Sequence, residues 1–270
     1  MGLIEAEPGV RLHVQDVGRG RPVVLVAGFG LSHDAWDSTV RALCERHRVI
    51  CIDVRGTGDS DKPAGPGAYA IERLAADIVA VLDALALERV TLVGWSFGAQ
   101  MSLRVAASAP ARLAQLVLLC SNAVRASRSE DFPFGPPPDR LRAALVRAEI
   151  ETRIPTRRAA IASGFHAKPD ESLVDWLLAI SLRMPSWAAI ACYETYLHSD
   201  LTADLAAVTL PVLQLMGDHD PVSLADGAPW VQERLPDGRL VVLEECGHYP
   251  MFEAREPYER ALLGFTGEAG

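Results

Sequence analysis

The sequence lacks the features that mark secreted, membrane-spanning or zinc-binding proteins. It has only five cysteines, an odd number at long spacings without a C-x-x-C pair, so neither a disulfide framework nor a zinc site is predicted. The N-terminal residues carry no cationic start, and no run approaches the ~18 apolar residues that span a bilayer. We therefore expect a cytoplasmic protein with no membrane partner.

An excess of positive charge is also missing. The formal net charge is −9, which repels polyanions, so nucleic acid is not an expected partner. Residues 125–168 reverse this trend, with nine basic against five acidic residues. They either form a mildly cationic entrance that favours anionic substrates or are solvated helix faces, and the second reading is favoured.

Aromatic residues make up only 6% of the chain, so the core must consist mostly of aliphatic side chains, which suits buried parallel strands. Short, continuous apolar runs recur and are typical of strands covered on both faces. These runs are Val23–Ala27, Val49–Asp53, Val90–Val93, Leu116–Cys120, Val212–Met216 and Leu240–Leu243. A more polar run at Arg11–Val14 is predicted to be an edge strand.

Helical patterns separate these runs. Apolar residues from Ile71 to Leu85 recur at 3.6-residue spacing, Ala99–Ala109 ends before a proline, and Tyr258–Phe265 is predicted as a final helix. Alternating strands and helices predict an α/β fold, a mostly parallel sheet with helices on both faces.

The alternation stops after Cys120 and returns at Leu210. The intervening residues contain no convincing strand but include a proline-rich loop and several helix-like segments. The helix-like segments are Leu141–Glu149, Leu173–Arg183 and Trp187–Leu197. We predict a core domain of residues 1–120 and 208–270, interrupted by a helical insertion at 121–207.

The most informative segment is Gly94-Trp95-Ser96-Phe97-Gly98, which lies between a predicted strand and a predicted helix. This is the G-x-S-x-G pattern in the strand–turn–helix context of a nucleophilic serine. The two glycines permit a sharp turn, and the helix N-terminus favours developing negative charge. The pattern predicts Ser96 as a catalytic nucleophile.

A serine nucleophile needs a base and a group that orients the base. His248 follows the last predicted strand in a glycine-containing loop, where open sheets present catalytic groups. The loop after Met216 offers two acids. Asp218 beside a glycine has the character of a turn residue, and Asp220 lies further along the loop, so the residues alone favour Asp220 only slightly.

An oxyanion formed at Ser96 also needs preorganised N–H donors. The backbone N–H of Phe97 is one candidate, and that of Phe29, after the first buried strand, is the other. A dinucleotide site is not predicted at Gly28-x-Gly30 because the third glycine is missing. We expect Trp95 and Trp187 to line an apolar substrate pocket.

Together the motifs resemble the α/β-hydrolase superfamily, in the branch of cofactor-free esterases, lactonases, non-haem haloperoxidase-like perhydrolases and C–C bond hydrolases. The motifs are AGFG from Ala27, DVRGTGDSDKP from Asp53, GWSFGA from Gly94, GDHDPV from Gly217 and CGHYPMFE from Cys246. The resemblance implies an eight-stranded sheet, a helical cap at 121–207, Asp220 rather than Asp218 as the acid, and no metal or cofactor. This sequence departs from many members of the superfamily, because it has Ala27-Gly28 where they have His-Gly.

The resemblance and the residues predict hydrolysis of an ester or lactone of a small to medium hydrophobic substrate, through an acyl-enzyme. A serine rather than an aspartate at position 96 argues against epoxide hydrolase and haloalkane dehalogenase activity. The alternatives are C–C bond hydrolysis of a vinylogous diketone, for which no supporting polar cap residues are identified, and a hydrolase-fold ligand-binding protein. The oligomeric state is left open, with a homodimer as one option.

Overall fold

The computed structural model describes residues 2–268, and it contains one sheet of eight strands. The strands are β1 Gly2–Glu7, β2 Val10–Gly18, β3 Arg21–Val26, β4 His47–Ile52, β5 Val90–Trp95, β6 Leu113–Leu119, β7 Val212–Gly217 and β8 Gly238–Leu243. They lie in the order β1-β2-β4-β3-β5-β6-β7-β8. Only β1 with β2 and β2 with β4 pair antiparallel. The predicted mostly parallel, eight-stranded sheet is confirmed.

Helices cover both faces of this sheet, as predicted. They are α1 Asp37–Leu43, α2 Ile71–Ala84, α3 Phe97–Ser108, α4 Pro138–Glu151, α5 Arg153–Ser163, α6 Glu171–Ser181, α7 Ser186–His198, α8 Ala228–Gln232, α9 Pro250–Glu253 and α10 Arg255–Gly267. In β3, Val24 and Val26 pack in the cluster formed with α2 and α3, whereas Val23 and Leu25 pack with α1 and α10. This alternation follows from the two-residue period of a strand.

The N-terminal edge of the sheet differs from the prediction. The run Arg11–Val14 belongs to β2, which is an internal strand because β1 pairs along its outer side. The prediction of an edge strand at Arg11–Val14 is therefore wrong. The sequence analysis missed β1, whose two glutamates and exposed positions give it little apolar character.

Between β6 and β7 the chain forms α4 to α7, and none of the described residues 121–207 lies in a strand. We call residues 121–207 the cap. Its helix α5 was missed because Pro155 has the character of a helix breaker. It lies in the first turn of α5, however, where the missing N–H costs no intrahelical hydrogen bond.

No single helix among residues 2–268 has both the length and the apolar composition to cross a membrane. Only the pair Glu171–Ser181 and Ser186–His198 passes that test when taken together, and it is bent by 95° at its break.

Candidate active site

Ser96 stands at the turn between β5 and α3, at the carboxyl edge of the sheet. Its backbone has φ +57° and ψ −118°, a conformation that residues with a side chain rarely adopt. The Ser96 N–H donates to the carbonyl of Leu119 at 2.9 Å. A Cβ on Gly98 would collide with the carbonyl oxygen of Val26, so only glycine lets α3 begin this close to β3. The local sequence therefore forces the strained turn that presents Ser96.

The structure brings Asp220 to His248. Asp220 Oδ2 accepts a hydrogen bond from His248 Nδ1 at 2.8 Å, and both side chains are buried. Asp220 Oδ1 accepts from the backbone N–H groups of Val222 and Ser223, at 2.8 and 3.0 Å. With Nδ1–H donated to Asp220, the lone pair on His248 Nε2 is left for a proton from another group. The loop after β7 therefore fixes the orientation of the imidazole.

Asp218 has a different role. Its carboxylate accepts from the backbone N–H groups of Cys246 and Glu245, at 3.0 and 3.2 Å, and so ties the loop after β8 to the end of β7. Burial raises the pKa of Asp218, but these two hydrogen bonds, together with the neighbouring His219 and the backbone of Asp218 itself, leave the pKa lowered. Asp218 therefore holds the loop that carries His248, whereas the imidazole of His248 is hydrogen-bonded by Asp220.

Core and cap both hold the backbone of His248. Its carbonyl accepts from Trp95 Nε1 at 3.0 Å, and its N–H donates to the carbonyl of Gly164, a cap residue, at 2.7 Å. Glu253 accepts from the N–H groups on either side of His248, those of Gly247 and Tyr249, each at 3.2 Å. The position of the imidazole is therefore set by groups from three separate parts of the chain.

The two predicted oxyanion donors lie on either side of Ser96, one at the start of α3 and one on the loop after β3. Phe97 is the first residue of α3, where backbone N–H groups have no intrahelical acceptor. A Cβ on Gly28 would lie 2.9 Å from Ser96 Cβ, so the loop that carries Phe29 packs directly against Ser96. The Phe29 ring stacks on Tyr193 of the cap, with centroids 4.5 Å apart. The Gly28–Phe29 segment therefore lines the cavity in front of Ser96, and Phe97 follows Ser96 directly in the chain.

Ser96 and His248 open into one cavity of about 510 Å³ between the loops of the core and the cap. Most of its lining is apolar, and it includes side chains from four cap helices. Among the lining residues are Leu31, Leu145, Ile161, Tyr193, Tyr196 and Val222. A cavity of this kind suits an organic substrate of moderate size.

The two tryptophans predicted to line the pocket lie differently. Trp95 borders the cavity, but its side chain is buried and packs edge-on against Trp36 and Tyr249. Trp187 is 56% exposed and does not line the cavity, so its prediction as a substrate-binding residue is wrong. Trp187 and Tyr196 are nine residues apart in α7, which is two and a half helical turns. Trp187 therefore points away from the side of α7 that carries Tyr196.

The cap forms the roof of the cavity. The sequence analysis missed a charged cluster in this roof. Arg157 Nε and Nη2 donate to the carboxylate of Glu149 at 3.0 and 2.7 Å, and Arg157 Nη1 donates to the carbonyl of Ser181 at 2.5 Å. Arg153 lies beside the same carboxylate, and all three charged side chains line the cavity. The four-residue spacing places Arg153 and Arg157 on one side of α5, but Glu149 lies on α4, so only the packing of the two helices brings the three charges together.

Among residues 2–268, two groups of side chains are close enough together to offer ligands to a metal ion. One contains His13, His33, Asp53 and Asp59, and the other contains Cys120, Asp220 and His248. In the first, Asp53 already accepts from the backbone and ring of His33 and from the backbone of Asp59. In the second, Asp220 accepts hydrogen bonds from the His248 ring and from two backbone N–H groups. Both carboxylates therefore have structural hydrogen bonds that account for their burial.

Comparison with known proteins is consistent with this geometry. A family model of the alpha/beta hydrolase fold matches residues 21–255. The chain is 30% identical over 257 residues to a pimeloyl-(acyl-carrier protein) methyl ester esterase of Aeromonas hydrophila, a match that covers 94% of this chain and 98% of the relative. It is also 30% identical to a non-heme chloroperoxidase of Streptomyces lividans, over 98% of this chain and 99% of the relative.

Among solved structures, the chain is similar to an esterase from Exiguobacterium antarcticum. The TM-score is 0.95 at 28% identity, and the match covers 99% of this chain and 100% of that chain. The matched residues include the loops that carry Phe29, Ser96, Asp220 and His248. The chain belongs to the alpha/beta hydrolase superfamily.

Proposed function

We propose that this protein hydrolyses carboxylic esters or lactones of small to medium hydrophobic substrates, with Ser96, His248 and Asp220 as its catalytic triad. One observation carries the proposal. Ser96, held at φ +57°, and His248, held by Asp220 at 2.8 Å, face the same largely apolar cavity. A strained serine and an oriented imidazole at one site are what nucleophilic acyl transfer requires.

In the proposed reaction, Ser96 Oγ attacks the substrate carbonyl carbon while His248 Nε2 accepts the hydroxyl proton. Asp220 stabilises the imidazolium that forms. The N–H groups of Phe29 and Phe97 stabilise the tetrahedral oxyanion. When the C–O bond to the leaving group breaks, His248 returns the proton to the departing alkoxide.

The second half of the reaction repeats these roles with water. His248 accepts a proton from water as the water oxygen attacks the acyl-enzyme, and the carboxylic acid leaves as Ser96 recovers its proton. The proposed reaction needs no metal or organic cofactor, and its proposed partner is a small molecule. The two esterases among the similar proteins support ester chemistry. The unpaired thiols of the five cysteines suit a reducing compartment, and we include a cytoplasmic location in the proposal.

The test combines turnover with active-site labelling. We expect the purified protein to hydrolyse 4-nitrophenyl esters of medium-length acids and to form a fluorophosphonate adduct that mass spectrometry locates on Ser96. Ser96→Ala should abolish both, whereas Ser108→Ala, at the exposed end of the same helix, should change neither. Folded protein that forms no adduct and hydrolyses no ester would favour a ligand-binding protein instead.

The charged cluster in the roof favours C–C bond hydrolysis as a second candidate. In the cleavage of a vinylogous diketone the electron pair of the broken C–C bond leaves on a dienolate, and this leaving portion needs polar groups beside it. Glu149, Arg153 and Arg157 line that cavity. Cleavage of a vinylogous 1,5-diketone faster than of the matched esters would favour this reaction over ester hydrolysis.

A further inference from the structure

The guanidinium of Arg153 keeps hydrogen-bond donors that the protein does not use. Arg153 Nη2 donates to the carbonyls of Leu182 and Met184, at 3.0 and 2.6 Å. Arg153 Nε is buried and 3.0 Å from Glu149 Oε1, but the geometry does not make a hydrogen bond. Among residues 2–268, none accepts from Arg153 Nη1. A guanidinium that lines a cavity with free donors is suited to a ligand.

Arg157, in contrast, is saturated. Two of its nitrogens bind both oxygens of Glu149, and the third donates to the carbonyl and lies within 3.3 Å of the hydroxyl of Ser181. The Arg157 side chain is 5% exposed and that of Glu149 is 1% exposed. This pair forms a neutral, rigid wall beside Arg153.

The charges that line the cavity do not balance. Two guanidiniums, those of Arg153 and Arg157, share the single carboxylate of Glu149, and the other titratable groups in the lining are His248 and the phenols of three tyrosines. The roof therefore carries one positive charge in excess. In this largely apolar cavity, where the Arg153 side chain is 28% exposed, such a charge favours an anionic partner.

We propose that Arg153 binds a carboxylate group of the substrate, separate from the ester or lactone that Ser96 attacks. The substrate class is then a half-ester or a carboxylated lactone, and Glu149 with Arg157 positions Arg153. A carboxylate neutralises one excess charge, whereas a doubly charged phosphate would leave one of its charges unpaired. This inference rests on the proposed hydrolysis at Ser96 and names its substrate class.

The experiment uses pairs of esters that differ only at the far end of the acyl chain. The first ester of each pair is a mono-(4-nitrophenyl) ester of a dicarboxylic acid, with chain lengths from succinate to suberate. The second is the matching 4-nitrophenyl ester in which a methyl group replaces the free carboxylate. For the best chain length, we expect kcat/KM to be about tenfold or more higher for the carboxylate ester. Equal rates, or a preference for the neutral ester at every length, would overturn the inference.

The variants assign the preference to one side chain. Arg153→Met should lower the ratio of the two kcat/KM values by about tenfold to a hundredfold, mainly through KM of the carboxylate ester. Arg153→Lys should retain part of the ratio. The control is Arg158→Met, which removes the same charge from the same helix where it pairs with Glu171 and Asp175 outside the cavity. An equal loss in the control, or none in Arg153→Met, would contradict the proposal.

Calorimetry separates this inference from the proposed function. In a Ser96→Ala background, we expect monomethyl adipate to bind more tightly than methyl hexanoate, and Arg153→Met to remove the difference. If the wild type hydrolyses no ester but this binding difference persists, the proposed function fails and the carboxylate site stands. If esters are hydrolysed but the binding difference is absent, the carboxylate site fails and the proposed function stands.

Discussion

The floor and the roof of the cavity are fixed in different ways. The floor consists of the loops after β3, β5, β7 and β8, and its functional groups are held by backbone hydrogen bonds, such as those of Val222 and Ser223 to Asp220. The roof is the cap, where charged side chains from neighbouring helices hold each other, as Glu149 holds Arg157. Under the proposed function, the floor is suited to one fixed chemistry and the roof to distinguishing substrates.

The largest expected effect lies in the floor. Asp220→Asn should lower kcat by about 10⁴-fold, because an amide neither fixes the imidazole tautomer nor stabilises the imidazolium. Asp218→Asn is the matched control and should stay within about threefold. Its amide oxygen still accepts from the N–H of Cys246, and the hydrogen bond from Glu245 that it loses does not involve the His248 side chain. Steady-state kinetics with a 4-nitrophenyl ester measures both. Similar losses in the two variants would refute the division of roles between the aspartates.

In the roof, the largest effect should be on stability. Glu149→Gln leaves Arg157 buried without its counter-charge, which should lower the free energy of unfolding by about 3 to 5 kcal/mol. Glu151→Gln, on the same helix but exposed, should change it by less than about 0.5 kcal/mol. Urea denaturation followed by circular dichroism measures both values. If Glu149→Gln is as stable as the wild type, charge pairing does not hold the roof together.

A smaller effect is expected where the roof touches the floor. Tyr193→Leu removes the ring that stacks on Phe29, and should raise KM for aryl or alkyl esters by about tenfold through lost apolar contact. The comparison variant is Trp187→Leu, on the exposed side of the same helix, which should leave KM within about twofold. A KM that rises more in Trp187→Leu would restore that residue to the substrate pocket.

The smallest effect should be a pH dependence of stability near the loop that carries Phe29. The hydrogen bond to Asp53 raises the pKa of His33, and Asp34 and Asp53 also favour its charged form, whereas burial opposes it. The pair therefore contributes its full stability below about pH 6.5, the ordinary histidine pKa, and loses it as pH rises through the higher folded value.

His33→Asn should remove this dependence. Relative to the variant, the wild type should lose unfolding free energy as pH rises from about 6 to about 9, a range in which Asp53 stays ionised because its pKa is lowered. Urea denaturation at a series of pH values measures the difference. A wild type that gains stability relative to the variant over this range would show that the sign is wrong.

Much of the floor was predictable from the sequence because each of its parts is local. The strand–turn–helix pattern around Ser96 and the glycine-containing loop of His248 need only residues within a few positions of each other. The missed elements lack such a signal. Strand β1 is too polar to look like a strand, and α5 contains a proline that only its position in the first turn makes tolerable.

By itself, the sequence determined the α/β alternation, the place of the nucleophile and the order of the floor loops, since strand and helix periods are written in neighbouring residues. The residues alone favour Asp220 only slightly over Asp218, and the tertiary structure shows the hydrogen bond of Asp220 to His248. The tertiary structure also decided that Trp187 faces outward and that Glu149, Arg153 and Arg157 meet over the cavity. These outcomes depend on how separate elements pack and rotate against each other, and no spacing along the chain encodes that rotation.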